Sequence, residues 1–240
     1  MWIIARKEWL HFFNSLTGYI ALVLFLLLNG LFLFVFPETN LLDFGYASLQ
    51  GFFSLEPWIL LFLIPTITMR SLADEYRSGT FEILKTSPLT PSRLVWGKFL
   101  GCLLVVSVSL APTLIYAITM EQLSAVGGVD MGAMAGSYLG LIFLAGVFTS
   151  IGICTSSFTS NTVIAFIAGA FICFFFYNGF DALSKFPVFR SGTGYYIEML
   201  GINFHYNSIS RGVIELRDIL YFAGVIVLFL LIAQRNIIRR

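Results

Sequence analysis

Charge is scarce in this 240-residue chain: Asp, Glu, Lys and Arg make up 11% of it, against about 25% in an ordinary soluble domain. What charge there is shows no bias, with 14 Lys and Arg against 13 Asp and Glu, so nothing points to a nucleic-acid partner. Cysteine is scarce too. Cys102, Cys154 and Cys173 lie inside apolar runs, with neither the pairing of a disulfide framework nor metal-ligand spacing. HExxH and GxSxG motifs are missing, and Gly97-Lys98 is followed by Phe99, so no GxxxxGK[ST] phosphate loop exists. In place of these stand 58% hydrophobic residues, 26 Phe and a mean hydropathy of +0.88. A globule of this size cannot hide so much apolar surface from water. The surplus must face lipid, and the expected fold class is an all-α polytopic membrane protein.

A helix needs about 20 mostly apolar residues to cross the hydrocarbon core. Six stretches qualify: Gly18–Phe36, Phe52–Met69, Val95–Met120, Met131–Ser156, Asn161–Phe180 and Ile219–Ala233. The second is interrupted at Glu56-Pro57 near one end, and Pro65 and Pro112 predict kinks. No intervening segment is long enough for a second domain, so residues 1–240 read as a single transmembrane domain. The first apolar run is too long for a cleavable signal peptide.

Orientation follows from the basic residues. Arg6 and Lys7, then Arg70, Arg77, Lys85, Arg93 and Lys98, then Arg235, Arg239 and Arg240 all fall on one side of a six-span arrangement. Both termini and the loop at 70–93 are therefore expected in the cytoplasm. Lys185, Arg190, Arg211 and Arg217, in the segment 181–218, run against the rule.

Residues 1–16 read as an interfacial helix, with Trp2, Ala5, Trp9, Phe12, Phe13 and Leu16 on one face and a bend at Asn14-Ser15 and Gly18. The loop after the second span carries Asp74, Glu75 and Arg77, a flexible Ser78-Gly79, and a short amphipathic helix over Thr80–Thr86 that ends before Pro88 and Pro91. A charged helix held between two spans can receive a push from a cytoplasmic partner; it can equally be a solvated connection.

Asp74-Glu75-x-Arg77-Ser78-Gly79-Thr80-Phe81-Glu82-Ile83-Leu84, followed by Ser87-Pro88-Leu89, resembles the coupling loop of type-2 ABC transporter permeases. Two further phrases resemble the same family: Pro57-Trp58-x-Leu60-x-Phe62-Leu63-Ile64-Pro65-x-Ile67-Thr68-Met69-Arg70, and Tyr206-x-Ser208-x-Ser210-Arg211-Gly212-Val213-Ile214-Glu215-x-Arg217-Asp218. With the aromatic run Phe171–Tyr177, the chain resembles the gliding-motility-associated permeases of Bacteroidetes (the GldF group), although permeases of copper-site maturation and polysaccharide export share the coupling phrase. The resemblance implies six spans, an N-terminal elbow helix, a coupling helix that docks on an ATPase subunit, and re-entrant helices before the last span. It also implies that ATP and Mg bind on a GldA-like partner and no cofactor binds in this chain. A GldG-like companion or a second copy would complete the complex in the inner membrane of a bacterium.

The segment Asp181–Asp218 is too aromatic for a free loop, and Arg211 with Glu215 is spaced as an i, i+4 pair, with Arg217-Asp218 adding a second contact. An external gate and an interfacial helix both fit it. Gly132, Gly136 and Gly140 recur every four residues and predict a helix–helix seam. His11 and His205 have no evident companion. No ionisable residue occupies the middle of a proposed span, which disfavours a gradient-driven transporter. A lipid-modifying enzyme lacks convergent His, Asp or Ser groups. A non-transporting scaffold stays open beside the ATP-driven permease.

Overall fold

The structure, a computed structural model, describes residues 1–36, 49–82, 90–123, 130–187, 193–212 and 214–239. Every regular element among them is helical. Six helices are long and apolar enough to cross a bilayer, and the chain is a multi-pass membrane protein.

The first helix, α1 (Trp2–Phe13), ends at Asn14. Ser15 caps the next helix, α2 (Leu16–Phe34), by accepting from the Gly18 amide. The elbow expected at Asn14-Ser15 is thus a true helix break. Ile4 and Ala5 are buried and Glu8 turns inward with them, whereas Trp2, Ile3 and Leu10 stay exposed for lipid.

The second span, α3 (Gln50–Thr68), runs without a break through Glu56-Pro57, where the sequence predicts an interruption, and contains Pro65 as well. Tertiary contacts replace what proline removes. Pro57 has no N–H to give the Phe53 carbonyl, and the Tyr206 hydroxyl donates to it instead at 2.7 Å. After a single turn residue the chain continues as α4 (Arg70–Arg77). The third span is two helices, α5 (Pro91–Leu110) and α6 (Leu114–Leu123), joined by a 3-10 turn at Ala111–Thr113 around Pro112.

The fourth span, α7 (Met131–Phe158), is the hub: 83% of its apolar window is buried, against 22% for α2. The fifth span starts as α8 (Thr162–Phe174), loosens into a π-helical turn at Phe175–Gly179 and ends as α9 (Phe180–Ser184). Two short helices, α10 (Thr193–Glu198) and α11 (Ile202–Ile209), fold back against the bundle before the last span, α12 (Leu216–Arg239). Helices α3, α5, α8, α11 and α12 all pack on α7. By contrast α2 lies at the periphery against α3, its Ile20, Val23, Leu24 and Leu27 exposed. At the end away from α4, the rings of Phe34, Phe52, Phe53, Tyr116 and Tyr138 interlock, with neighbouring centroids 5.1–6.0 Å apart.

Candidate functional site

The coupling segment read from the sequence divides into an inward and an outward half. Asp74, Glu75 and Arg77 are not on a loop: they belong to α4, which continues the second span. The helix ends at Ser78, whose amide and hydroxyl both donate to the Asp74 carbonyl, at 2.9 and 2.7 Å. Gly79 then takes φ +71°, the left-handed turn that ends helices and that only glycine adopts freely. Helical conformation resumes at Thr80 and continues to Glu82. The rest of the expected helix, Leu84 included, lies outside the described residues. Arg77, Ser78, Thr80 and Glu82 are exposed. Phe81 turns back and packs edge-on against Tyr76, 4.7 Å between centroids.

Glu75 faces inward, into a knot of charge with no counterpart in the sequence reading. Lys98, on α5, is 1% exposed, and its three ammonium protons are all spent: on Glu8 of α1 at 2.7 Å, on Glu75 at 2.9 Å and on the Ser71 carbonyl of α4 at 2.6 Å. Lys7 of α1, largely in the open, reaches the same Glu75 oxygen at 3.0 Å. Two cations and two carboxylates cancel, as groups taken out of water must. Three segments far apart in sequence are tied at one ammonium.

The close approach of α1 to α5 depends on missing side chains. A Cβ on Gly97 would come within 2.8 Å of Ile4, and one on Gly101 within 2.8 Å of Glu8 and 2.9 Å of the Ala5 carbonyl. Gly97 and Gly101 form a GxxxG spacing with Lys98 inside it. That signal, together with Glu8 placed one turn after Ile4 and Ala5, is what could have revealed the knot. A second fastening is Ser156 of α7. Its hydroxyl accepts from the amides of Leu72 and Ala73 and donates to the Met69 carbonyl, satisfying backbone groups left over at the α3–α4 junction. Near it Asn236 of α12 donates to the Ser157 carbonyl at 2.6 Å.

At the opposite end the expected contacts are rearranged. Gly212, at φ +84°, terminates the turn after α11, so Arg211 and Glu215 do not share a helix and do not pair. Arg211 donates to the Asn207 carbonyl at 3.0 Å, while Glu215 pairs with Arg217 at 3.1 Å. Ser210 accepts at its carbonyl from Ser137 of α7, 2.8 Å. His205 does have a companion: Nδ1 lies 2.7 Å from Asp218 on α12 and Nε2 lies 2.9 Å from the Met199 carbonyl, both side chains buried. Tyr221 stacks on the ring and donates to the Leu200 carbonyl, and Arg217 stands 3.7 Å from Asp218.

Of the three α7 glycines spaced four apart, Gly136 lies against Gly212 and Gly140 against Ile209, so the small-residue face receives α11 and its following turn. Gly132 meets only its own Asp130. An open cavity of about 560 Å³ beside this face is lined by Gln50, Ser54, Asp130, Ser137, Asn207 and Arg211. Among the described residues no three His, Cys, Asp or Glu side chains converge as a metal site.

Two ionisable groups lie buried near the ends of spanning helices, outside the span middles to which the sequence reading applied: Lys98 in α5, where it is neutralised, and Glu56 in α3. Hydropathy averages over a whole helix and does not register one charged side chain among many apolar ones.

No curated protein matches the chain. Residues 2–187, from α1 through the end of α9, match the family model described as ABC-2 family transporter protein. Taken with six apolar helices, an N-terminal elbow and a charged helix that prolongs the second span, this match makes the chain a member of the ABC-2 transporter family, a membrane permease component of an ABC transporter.

Proposed function

We propose that the chain transmits the motion of a separate ATPase subunit to its membrane helices through the segment 74–85, with both termini and this segment in the cytoplasm. The observation that carries the reading is the knot at Lys98. A partner pressing on the exposed residues Arg77, Ser78, Thr80 and Glu82 would push α4 along its axis. Because Lys98 holds α4, α1 and α5 through one ammonium, those helices would move as a unit. Ser156 passes the same displacement to α7, the hub of the bundle. ATP and Mg would bind on the partner, since the chain has no phosphate loop.

The finer reading is a bacterial gliding-motility permease of the inner membrane, working with a GldA-like ATPase and with a GldG-like protein or a second copy of itself. It is supported by the coupling phrase 74–84 and the phrase from Tyr206 to Asp218, in which Ser210, Arg211, Gly212, Glu215 and Arg217 would form an external docking ledge, with the buried Asp218 holding it from beneath. The separation of inward from outward residues defines the test. The detergent-solubilised protein is captured with its ATPase, comparing wild type, Glu82→Ala, Arg77→Ala and Lys98→Met. Docking through the outward face predicts that Glu82→Ala and Arg77→Ala weaken capture while the permease melts normally. It predicts that Lys98→Met retains capture wherever the protein is still folded, but uncouples ATP hydrolysis from the permease. Normal capture and normal stimulation in all three variants would return the scaffold reading to the front.

A further inference from the structure

Glu56 is a buried ionisable group that neither the coupling machinery nor the His205–Asp218 pair uses. It sits less than two turns into α3 with no exposed surface; among the described residues no donor reaches either carboxyl oxygen at full hydrogen-bond geometry, and the side chain directed at it from α2 is the neutral Asn29 amide. The polar groups that act on it come from four elements: Asn29 from α2, Tyr116 from α6, Tyr138 from α7 and Tyr206 from α11. No cation is among them. Three of the four donate elsewhere. The Asn29 amide donates to the Phe25 carbonyl at 3.1 Å, leaving its own oxygen unpartnered, and the Tyr206 hydroxyl donates to Phe53. Tyr138 donates to the Thr113 carbonyl at 3.0 Å. The contrast with Glu75 is direct: that carboxylate has two ammonium groups on one oxygen.

An ionised carboxylate stripped of water, of counter-charge and of donors is among the costliest states a bundle can hold. The geometry points to Glu56 as a proton-binding site in the membrane-embedded bundle, occupied when α2 and α3 are closed together and emptied when they part. The ligand is a proton, bound to one carboxylate oxygen, and its release leaves a carboxylate that needs water. Opening of the α2–α3 seam would give that water a route. Here an apolar groove of about 170 Å³, lined by Phe25, Leu28, Ile59 and Leu63, already opens beside the site. Asn29 and Glu56 face one another across that seam, so its opening and proton release are linked. The linkage does not depend on the docking of an ATPase.

The test uses the full chain in lipid nanodiscs, wild type against Glu56→Gln and Glu56→Leu, titrated from acidic to alkaline pH with and without sodium. Infrared difference spectra should show a carboxylic-acid carbonyl band in wild type that Glu56→Gln removes. The wild-type Tm should fall as pH rises and the carboxyl ionises, because the proton stabilises the closed bundle. That part of the pH dependence should vanish in both variants, and Glu56→Leu should melt at or above wild type. A wild type with no acid band, together with variants that both melt lower, would overturn the proposal by showing an ionised and paired Glu56. A band or a Tm that responds to sodium at constant pH would overturn it in favour of a metal cation.

Discussion

At the end of the bundle that carries α1 and α4, Lys98 gathers two carboxylates and a carbonyl from residues 23 to 90 positions away. At the other end, His205 meets Asp218 only 13 positions further on, with Met199 six positions behind. Both clusters are buried and both fasten helices, but they fasten different things. The first joins three elements that enter the bundle from separate parts of the chain, so displacement of one is felt by all. The second closes a local hairpin between α11 and α12 and leaves the Asp218 Oδ2 oxygen without a partner. A knot spanning distant segments suits transmission, whereas a local clasp suits holding a re-entrant element in place. In a lipid-embedded bundle, apolar surface gives little preference for one helix partner over another, so pairs such as these decide which helices stay together.

The sharpest way to break this comparison is Lys98→Met. It leaves Glu8 and Glu75 facing one another with the Ser71 carbonyl unpaired, and losing one partner of a buried ion cluster typically costs roughly 3–5 kcal/mol. Thermal unfolding in detergent should register the loss, and adding Glu8→Gln and Glu75→Gln should restore part of it. An unchanged Tm would mean that the knot fastens nothing.

Next comes Gly101→Val, which drives a branched side chain into the Ala5 backbone. Overpacking of this kind costs about 1–3 kcal/mol. The expected sign is selective release of α1, read as proteolytic cleavage near Asn14 while the rest of the bundle stays protected. His205→Phe should cost about 1–3 kcal/mol, the range for a buried polar group left unsatisfied, here Asp218 and the Met199 carbonyl. Its effect should be confined to hydrogen exchange of α10 and α11. Combined with Lys98→Met the two losses should add to within about 0.5 kcal/mol, as for separated sites without shared partners. A larger coupling would show that the two ends communicate. The smallest stability effect belongs to Glu82→Ala, an exposed position where changes stay within about ±0.5 kcal/mol; only ATPase capture should respond.

Much of the architecture was legible because lipid imposes long apolar runs that survive in any register. The spans, the bend at Asn14-Ser15, the turn around Pro112 and the charged stretch after the second span are all local features. The misreadings share a cause. Glu56-Pro57 looked like an interruption because local rules count a proline and a charge against a helix, while Tyr206, 149 positions further on, supplies the missing donor to the helix backbone. His205 looked solitary because its partner stands on the next span. Arg211 and Glu215 looked paired because i, i+4 spacing assumes one helix, and Gly212 ends it.

Composition and hydropathy alone determined that this chain crosses a membrane six times, since no other environment accepts so much apolar surface. The coupling phrase alone located the segment on which we propose that a partner presses. Which face of that segment turns inward was decided only in three dimensions. Glu75 and Glu82 are the same residue type seven positions apart, and only the arrival of Lys98 and Lys7 takes one of them out of water. A buried charge is tolerated where the fold brings its counter-charge, and that meeting is a property of packing rather than of any local stretch of sequence.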